Sequence, residues 1–442
     1  MVMPSSSPFE RRRQDRRPPD QPERRRVRLS WYDSLNSELQ TGHEVELLIN
    51  GEAFFPALVS AIEAARESVY LETYIFNDDP SGQRVATALS EAADRGVAVN
   101  CVVDGFGTPS LTGRTAELMA NPRIRFETFR PERFRFFERM RVALDRQRLR
   151  RLHRKLVLID DAEAFVGGIN LLDDRIDPNH GELAAPRLDF AVRVRGPLVA
   201  TVNLAMQRLL WELSVVNRSL RRPRPNGSPQ DKGAPLGPMH PTRTRIASQG
   251  SMRAMLLVRD NLRHRRSIER WYLRAIGQSR REVLIANAYF LPGVRLRRAL
   301  IKAVQRGVRV RLLLQGKVEY RLQHYATQAL YDELLAQGVE IHEYERSFLH
   351  AKVAVIDAQA TIGSSNIDPF SLLLAREANV VIDDQAFADA LRGQLETAIA
   401  DGSRELELHS HRRRPWPVRL MNWCSFVLLR LAVSITGHAS RY

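Results

Sequence analysis

The chain has 442 residues, 44% of them hydrophobic, which suits a folded protein of two lobes and exceeds one ordinary core. Its formal charge of +16 implies an acidic partner, either nucleic acid or an anionic lipid surface. Two cysteines, Cys101 and Cys424, exclude a disulfide framework and a cysteine metal site, so a reducing compartment is expected.

Residues 1–28 are rich in Arg, Pro and Ser and read as a disordered basic arm. They contain no apolar core of a secretory signal. No apolar run reaches the roughly 18 residues of a membrane span anywhere in the chain, so no transmembrane helix is predicted. Regular structure is expected from Val45, where Val45–Ile49 reads as a strand and Asn50-Gly51 as a turn. Phe54–Ala65 has helical periodicity, and Val69–Phe76 is a strand. Gln83–Arg95 reads as a helix closed by Gly96, followed by a strand over Val97–Val103. This alternation predicts an α/β lobe with a parallel or mixed sheet.

Residues 218–246, dense in Pro, Gly, Ser and Arg, read as a surface linker between a first lobe at 29–217 and a second at 247–408. The second lobe repeats the order of the first. Val283–Asn287 is a strand, Val294–Arg306 a helix closed by Gly307, Val308–Leu314 a strand, and Gln328–Gln337 a helix ending at Gly338.

The repeat extends to chemistry. His153-Arg154-Lys155 followed by four apolar residues and Asp160 matches His350-Ala351-Lys352, four apolar residues and Asp357. Downstream, Gly167-Gly168-Ile169-Asn170 matches Gly363-Ser364-Ser365-Asn366. On a strand, residues two apart share a face, so each histidine projects with its lysine, while the apolar run buries the strand. The chain has only five lysines, and two of them stand in these motifs.

The residue types suit phosphoryl chemistry. Imidazole attacks phosphorus and carries protons near neutrality. Lysine and asparagine supply charge and hydrogen bonds to phosphate oxygens in the transition state. Two histidines allow a double displacement, one as nucleophile and the other as general acid and base.

On these motifs the sequence resembles the phospholipase D superfamily, and within it the bacterial cardiolipin synthases that lack N-terminal membrane spans. The supporting segments also include Leu71–Phe76, Ala286–Pro292 and Arg306–Val310. The resemblance implies two homologous lobes, each a mixed sheet flanked by helices. They would be related by a pseudo-twofold and would share one active site. It implies His153 as nucleophile and His350 as general acid/base, with Lys155 and Lys352 beside them and Asn170 and Asn366 binding substrate. Downstream acids hold each histidine: Glu377 is expected on His350 and Asp189 on His153. Asp160 and Asp357 complete the catalytic motifs and are expected to anchor them structurally. No metal or cofactor is implied.

The superfamily also contains nucleases, so the motifs leave the substrate open. Phe126–Leu152 interleaves Phe with Arg and suits either a lipid interface or single-stranded nucleic acid. The tail at 409–442 has Arg412, Arg413, Arg414 and Arg419 ahead of an aromatic and aliphatic helix over Leu420–Ile435. That pattern reads as an in-plane anchor on an anionic leaflet, for which a nuclease has no use. The expected partners are therefore phosphatidylglycerol, with phosphatidylethanolamine as a second lipid, and an anionic membrane surface. No nucleic acid is expected. The expected location is peripheral, on the cytoplasmic face of a bacterial inner membrane. The expected reaction is phosphatidyl transfer, with hydrolysis by water as the alternative and nucleic-acid cleavage as the more distant one.

Overall fold

Strand and helix follow one another in the same succession twice in the computed structural model, which describes residues 38–131, 150–178, 180–220, 247–260 and 264–433. The first half runs β1 (Gln40–Ile49), α1 (Asn50–Ala64), β2 (Ser68–Thr73), α2 (Pro80–Asp94), β3 (Ala98–Asp104), α3 (Gly113–Met119) and β4 (Ile124–Phe129). It continues with β5 (Lys155–Ile159), β6 (Glu163–Gly167), the small hairpin β7 (Ile176–Asp177) and β8 (Gly181–Glu182), β9 (Phe190–Arg195) and α4 (Leu198–Leu220).

The second half runs β10 (Met252–Arg259), α5 (Ser267–Gln278), β11 (Glu282–Asn287), α6 (Val294–Gln305), β12 (Arg309–Gln315), α7 (Arg321–Gln328), α8 (Tyr331–Ala336) and β13 (Glu340–Tyr344). Then come β14 (Lys352–Ile356), β15 (Gln359–Gly363), α9 (Pro369–Leu373), β16 (Glu377–Asp383), α10 (Gln385–Gly402), β17 (Ser403–Glu405), α11 (Leu408–Arg412) and α12 (Trp416–Val433).

From the centre outward, the first half orders its strands β1-β9-β6-β5-β2-β3-β4 and the second β10-β16-β15-β14-β11-β12-β13, with β17 added at the edge. The pairs β2–β3, β3–β4, β11–β12 and β12–β13 are parallel, and the other neighbours in the sheet are antiparallel. β1 and β10 pair antiparallel, so the two halves form one continuous mixed sheet. The expected two-lobed α/β architecture is therefore present.

Side-chain alternation decides which helices lie on which face. Val69, Leu71, Val99, Cys101 and Val157 meet Phe54, Leu58 and Ile62 of α1 and Val85 and Leu89 of α2 in one core. The intervening Tyr70 and Val102 meet Leu209, Leu210 and Leu213 of α4 on the opposite face. The second half has its own core, built from Tyr272, Ile276, Leu300, Leu312, Leu334 and Val381. Gly96 and Gly307 end equivalent helices at φ +93° and +86°, a backbone region that L side chains rarely adopt.

Several boundaries depart from expectation. β1 starts at Gln40, five residues earlier, because it pairs with both β9 and β10 and the burial pattern alone understates it. Asn50-Gly51 does turn the chain, with Asn50 at φ +56°, but that turn is already the start of α1. The helix expected over Gln328–Gln337 is the shorter α8, and the separate α7 ahead of it was not expected. The N-cap of α7, Tyr320, makes no side-chain cap, which left no start signal to read. α4 runs to Leu220, past the expected lobe boundary. The basic arm, most of the linker and residues 132–149 of the Arg/Phe segment lie outside the described residues.

The tail is docked. Leu429 of α12 is 3% exposed and packs with Leu291, Ala326, Leu330, Leu373 and Leu374, while Asn422 and Ser425 are also buried. The other side of the same helix leaves Trp416 (74%), Trp423 (59%), Leu420, Leu428 and Leu431 exposed. Among the described residues, no helix is long and apolar enough to cross a membrane.

Candidate active site

Each motif starts just before a hairpin whose first strand is wholly buried, β5–β6 in the first half and β14–β15 in the second. The motif aspartates turn these hairpins. Asp160 and Asp357 sit at φ +48° and +51°, a region that aspartate tolerates better than most residues. Their carboxylates accept three backbone N–H groups each. Asp160 takes Arg66, Glu67 and Ser68 at 2.8 Å, and Asp357 takes Arg280, Arg281 and Glu282 at 2.9–3.0 Å. They tie the hairpin to the start of the neighbouring strand, at the opposite strand end from the histidines.

The histidines stand on extended segments that cross between the halves. The His153 N–H donates to the carbonyl of Arg376 at 3.0 Å, and the Arg376 N–H to that of Arg151. Likewise the His350 N–H donates to the carbonyl of Leu188 at 2.9 Å, and the Leu188 N–H to that of Phe348. This pairing puts the residue after Arg376 beside His153, and the residue after Leu188 beside His350.

The acids are therefore exchanged relative to expectation. Nδ1 of His153 lies 3.0 and 3.1 Å from the carboxylate oxygens of Glu377, and Nδ1 of His350 lies 2.6 Å from Asp189. Each histidine is held by the acid of the other half. The assignment of Glu377 to His350 and Asp189 to His153 is corrected by the backbone register across the interface, which sequence spacing does not carry. With Nδ1–H donated to a carboxylate, Nε2 is left with its lone pair.

The two acids reach their histidines by different means. Glu377 has no exposed side-chain surface, and Ser364 Oγ donates to its Oε2 at 2.5 Å. The position matching Ser364 is Gly168, where a Cβ would stand 2.3 Å from Asp189 Oδ1. A glycine there leaves room for the shorter acid.

Lys155 Nζ donates to the carbonyl of His153 at 2.7 Å, and Lys352 Nζ donates to that of His350. Both lysines are buried. Burial pushes Lys155 down to about 7 and Lys352 to about 8, against the pull of Glu377 and Asp189. Burial likewise lowers His153, with Glu377 opposing and the lysines assisting. It takes His350 to about 3, with Lys352 assisting and Asp189 opposing. The rings keep 16% and 18% of their side-chain surface open. Each lysine feels both acids, which means that the two half-motifs form one electrostatic unit.

Asn170 Oδ1 accepts the Ile75 N–H at 3.3 Å, and Asn366 is buried with Oδ1 unpartnered. Among the described residues, no three His, Cys, Asp or Glu side chains form a metal-ligand group.

Several site residues carried no readable sequence signal. Tyr74 packs edge-on to His153 with ring centroids 4.9 Å apart, and Lys155 Nζ lies 5.4 Å from its ring. Arg154, between the motif His and Lys, points to the opposite face and pairs with the buried Glu72 at 2.5 Å. Asp104 and Gln315, at equivalent strand ends, accept the N–H groups of Leu152 and Leu349 that precede the histidines, at 2.8 and 2.9 Å. Only comparison of the repeats position by position could have paired these last two.

A family model described as "Cardiolipin synthase, PLD-like domain" matches residues 58–184 and 272–399, once in each half. Cardiolipin synthase B of Escherichia coli (strain K12) is 36% identical over 412 residues, 93% of this chain and 92% of its own. The chain belongs to the cardiolipin synthase family of the phospholipase D superfamily. Cardiolipin synthase A of Pseudomonas entomophila is similar at 29% identity, covering 84% of this chain and 71% of its own. A family member made of two matched domains is what the duplicated sheet order requires. The crystal structure of phosphatidylserine synthase from Haemophilus influenzae Rd KW20 shares the fold. Its TM-score is 0.62 at 13% identity, over 92% of this chain and 98% of that one.

Proposed function

We propose that this protein is a cardiolipin synthase that moves a phosphatidyl group from phosphatidylglycerol to the primary hydroxyl of a second lipid through a phosphatidyl-histidine. The observation that carries this reading is the pair of carboxylate-held histidines beside two buried lysines. Nε2 of His153 attacks phosphorus and forms a P–N bond. The P–O bond to glycerol breaks, and His350 delivers a proton to the leaving oxygen. His350 then takes the proton of the incoming hydroxyl, whose oxygen displaces His153 and restores the P–O ester.

Charge supports this order. Burial, with Lys352 assisting, keeps His350 unprotonated in the empty site, and a phosphodiester anion entering between the lysines offsets their share of that effect. Lys155, Lys352, Asn170 and Asn366 are the proposed ligands of its non-bridging oxygens. The lysines and asparagines supply the stabilisation, and no metal or cofactor is assigned a step.

The enzyme is proposed to work as a peripheral protein at the cytoplasmic face of an anionic membrane. The exposed Trp416, Trp423 and Leu428 of α12, near Arg412, Arg413 and Arg419, have the amphipathic character of an interfacial helix. Docking on the core leaves this face available, so α12 would carry the whole body to the surface.

The test is incubation of purified protein with phosphatidylglycerol, alone and with phosphatidylethanolamine, followed by mass spectrometry of the lipids. Cardiolipin with release of glycerol is expected. Phosphatidic acid as the main product would make the protein a hydrolase. Cleavage of single-stranded DNA with no lipid conversion would overturn the lipid reading.

A further inference from the structure

Large apolar side chains on the surface are concentrated in three places. Six stand on α12: Trp416, Leu420, Met421, Trp423, Leu428 and Leu431. Val318 (41%), Tyr320 (54%) and Leu322 (42%) stand on the loop after β12 and the start of α7, and Phe106 (57%) on the loop after β3. Among the described residues, only Ile176 and Val215 are comparably exposed elsewhere. Single exposed apolar residues are ordinary, but a grouping of this kind marks a contact surface.

The two loops are equivalent in the repeat and start beside the catalytic motifs. Asp104, at the end of β3, accepts the N–H of Leu152, the residue before His153. Gln315, at the end of β12, accepts the N–H of Leu349, the residue before His350. Phe106 and Tyr320 follow within these same loops, so each half brings one exposed ring to the neighbourhood of its histidine. Tyr320 also lies within electrostatic reach of Tyr74, whose ring meets His153. α12 adjoins the second loop. Phe426 and Leu429 pack with Ala326 of α7, and Arg414, just ahead of α12, donates to Gln328 at the end of α7. Cations accompany the rings. The guanidinium of Arg151 lies 4.9 Å from the centre of the Phe106 ring and that of Arg430 lies 5.6 Å from the centre of Phe426, while Arg321 beside Tyr320 is exposed. Aromatic rings with cations beside them fit the headgroup zone of an anionic bilayer.

We propose that Phe106, Val318, Tyr320 and Leu322 form one membrane-facing surface with α12, so that both histidines meet lipid at the headgroup level of an anionic bilayer. The inference rests on the proposed lipid substrate and adds how the enzyme is oriented on the membrane. Contact through α12 alone would fix one part of the molecule and leave the histidines at any height. A phosphodiester that met them away from the bilayer would bring its acyl chains into water, at a cost for every methylene. Loops that enter the headgroup zone beside the histidines remove that cost.

The test reads membrane contact position by position. Cys101 is buried and Cys424 is exposed on α12, so an environment-sensitive dye on native Cys424 reports on that helix. In a Cys424→Ser chain, Phe106→Cys, Tyr320→Cys and Glu67→Cys each carry the same dye. Glu67 is exposed and its N–H is held by Asp160, at the opposite strand end from the histidines. Phosphatidylglycerol vesicles containing a nitroxide-labelled lipid are then added. Quenching at Cys424, Phe106→Cys and Tyr320→Cys, with none at Glu67→Cys, is expected. Quenching at Cys424 alone, or as much at Glu67→Cys, overturns the proposal. Dye burial that needs no vesicles and rises with protein concentration would assign the surface to a second copy of the chain instead. Activity gives a second readout. Phe106→Ser combined with Tyr320→Ser should lower turnover of vesicle phosphatidylglycerol about tenfold relative to turnover of a short-chain, monomeric phosphatidylglycerol. Equal loss on both substrates would mark damage to the site and refute the membrane role. A chain quenched at both loops that converts no lipid refutes the proposed function while the surface stands, so the two readings fail separately.

Discussion

Replacing Glu377 with Gln tests the exchange of acids between the halves. The carboxylate lies 3.0 Å from Nδ1 of His153 and is fully buried. When His153 attacks phosphorus, positive charge develops on its ring. Two unit charges about 3 Å apart at an effective dielectric near 20 attract by about 5.5 kcal/mol. That sets a ceiling of about 10⁴ in rate. Glutamine still accepts the Nδ1–H and keeps the ring in place, so the expected loss of phosphatidyl-histidine formation is about 10²- to 10⁴-fold. Rapid-quench trapping of labelled lipid on the protein measures it. The pairing itself is read from imidazole titrations by nuclear magnetic resonance. A carboxylate stabilises the imidazolium, so Glu377→Gln should lower the His153 pKa further and move His350 less, and Asp189→Asn should do the reverse. If Glu377→Gln shifts His350 and leaves His153 in place, the cross-half assignment is wrong.

Three further outcomes follow from the same geometry. Lys155 and Lys352 hold their charge only below about 7 and about 8, so kcat/KM should fall as pH rises through that window. The fall in kcat should come at higher pH, because bound phosphodiester stabilises the ammonium forms; a flat kcat/KM profile to pH 9 would contradict it. Asp160 and Asp357 are pushed up by burial, but their three N–H donors outweigh this and hold both below the usual carboxylate range. Their stabilisation is present above the unfolded carboxylate pKa and lost as pH falls through the lower folded value. Either change to Ala should therefore cost about 1–2 kcal/mol in urea unfolding at neutral pH, and less in strong acid, where the carboxylate's share is gone and the cost of alanine at positive φ remains. Changing both Trp416 and Trp423 to Ser should weaken binding to anionic vesicles with little change in melting temperature, since both rings are exposed; unchanged binding would remove α12 as the membrane contact.

The sequence was most legible where the repeat made it redundant. The strand–helix succession and the His-x-Lys-x4-Asp motifs each appear twice, and strand period puts each His with its Lys on one face. What stayed illegible depends on contacts between segments far apart in the chain. The register of residues 151–153 against Arg376, and of 349–350 against Leu188, decides which acid serves which histidine. No local pattern encodes that register. The tail was read from its composition, which shows an amphipathic helix but not the stripe of Asn422, Ser425 and Leu429 that docks it.

The exchange of carboxylates makes the two halves mutually dependent. Neither histidine is oriented by its own half, so a fragment carrying one complete motif carries only half of each working dyad. Drift in one repeat is felt first at the histidine of the other. Lengthening Asp189 to a glutamate would crowd Gly168, and shortening Glu377 would lose Ser364. A chimera that swaps one half for a relative's must therefore bring matched acid lengths across the join, and recombination at the linker is constrained by residues far from it.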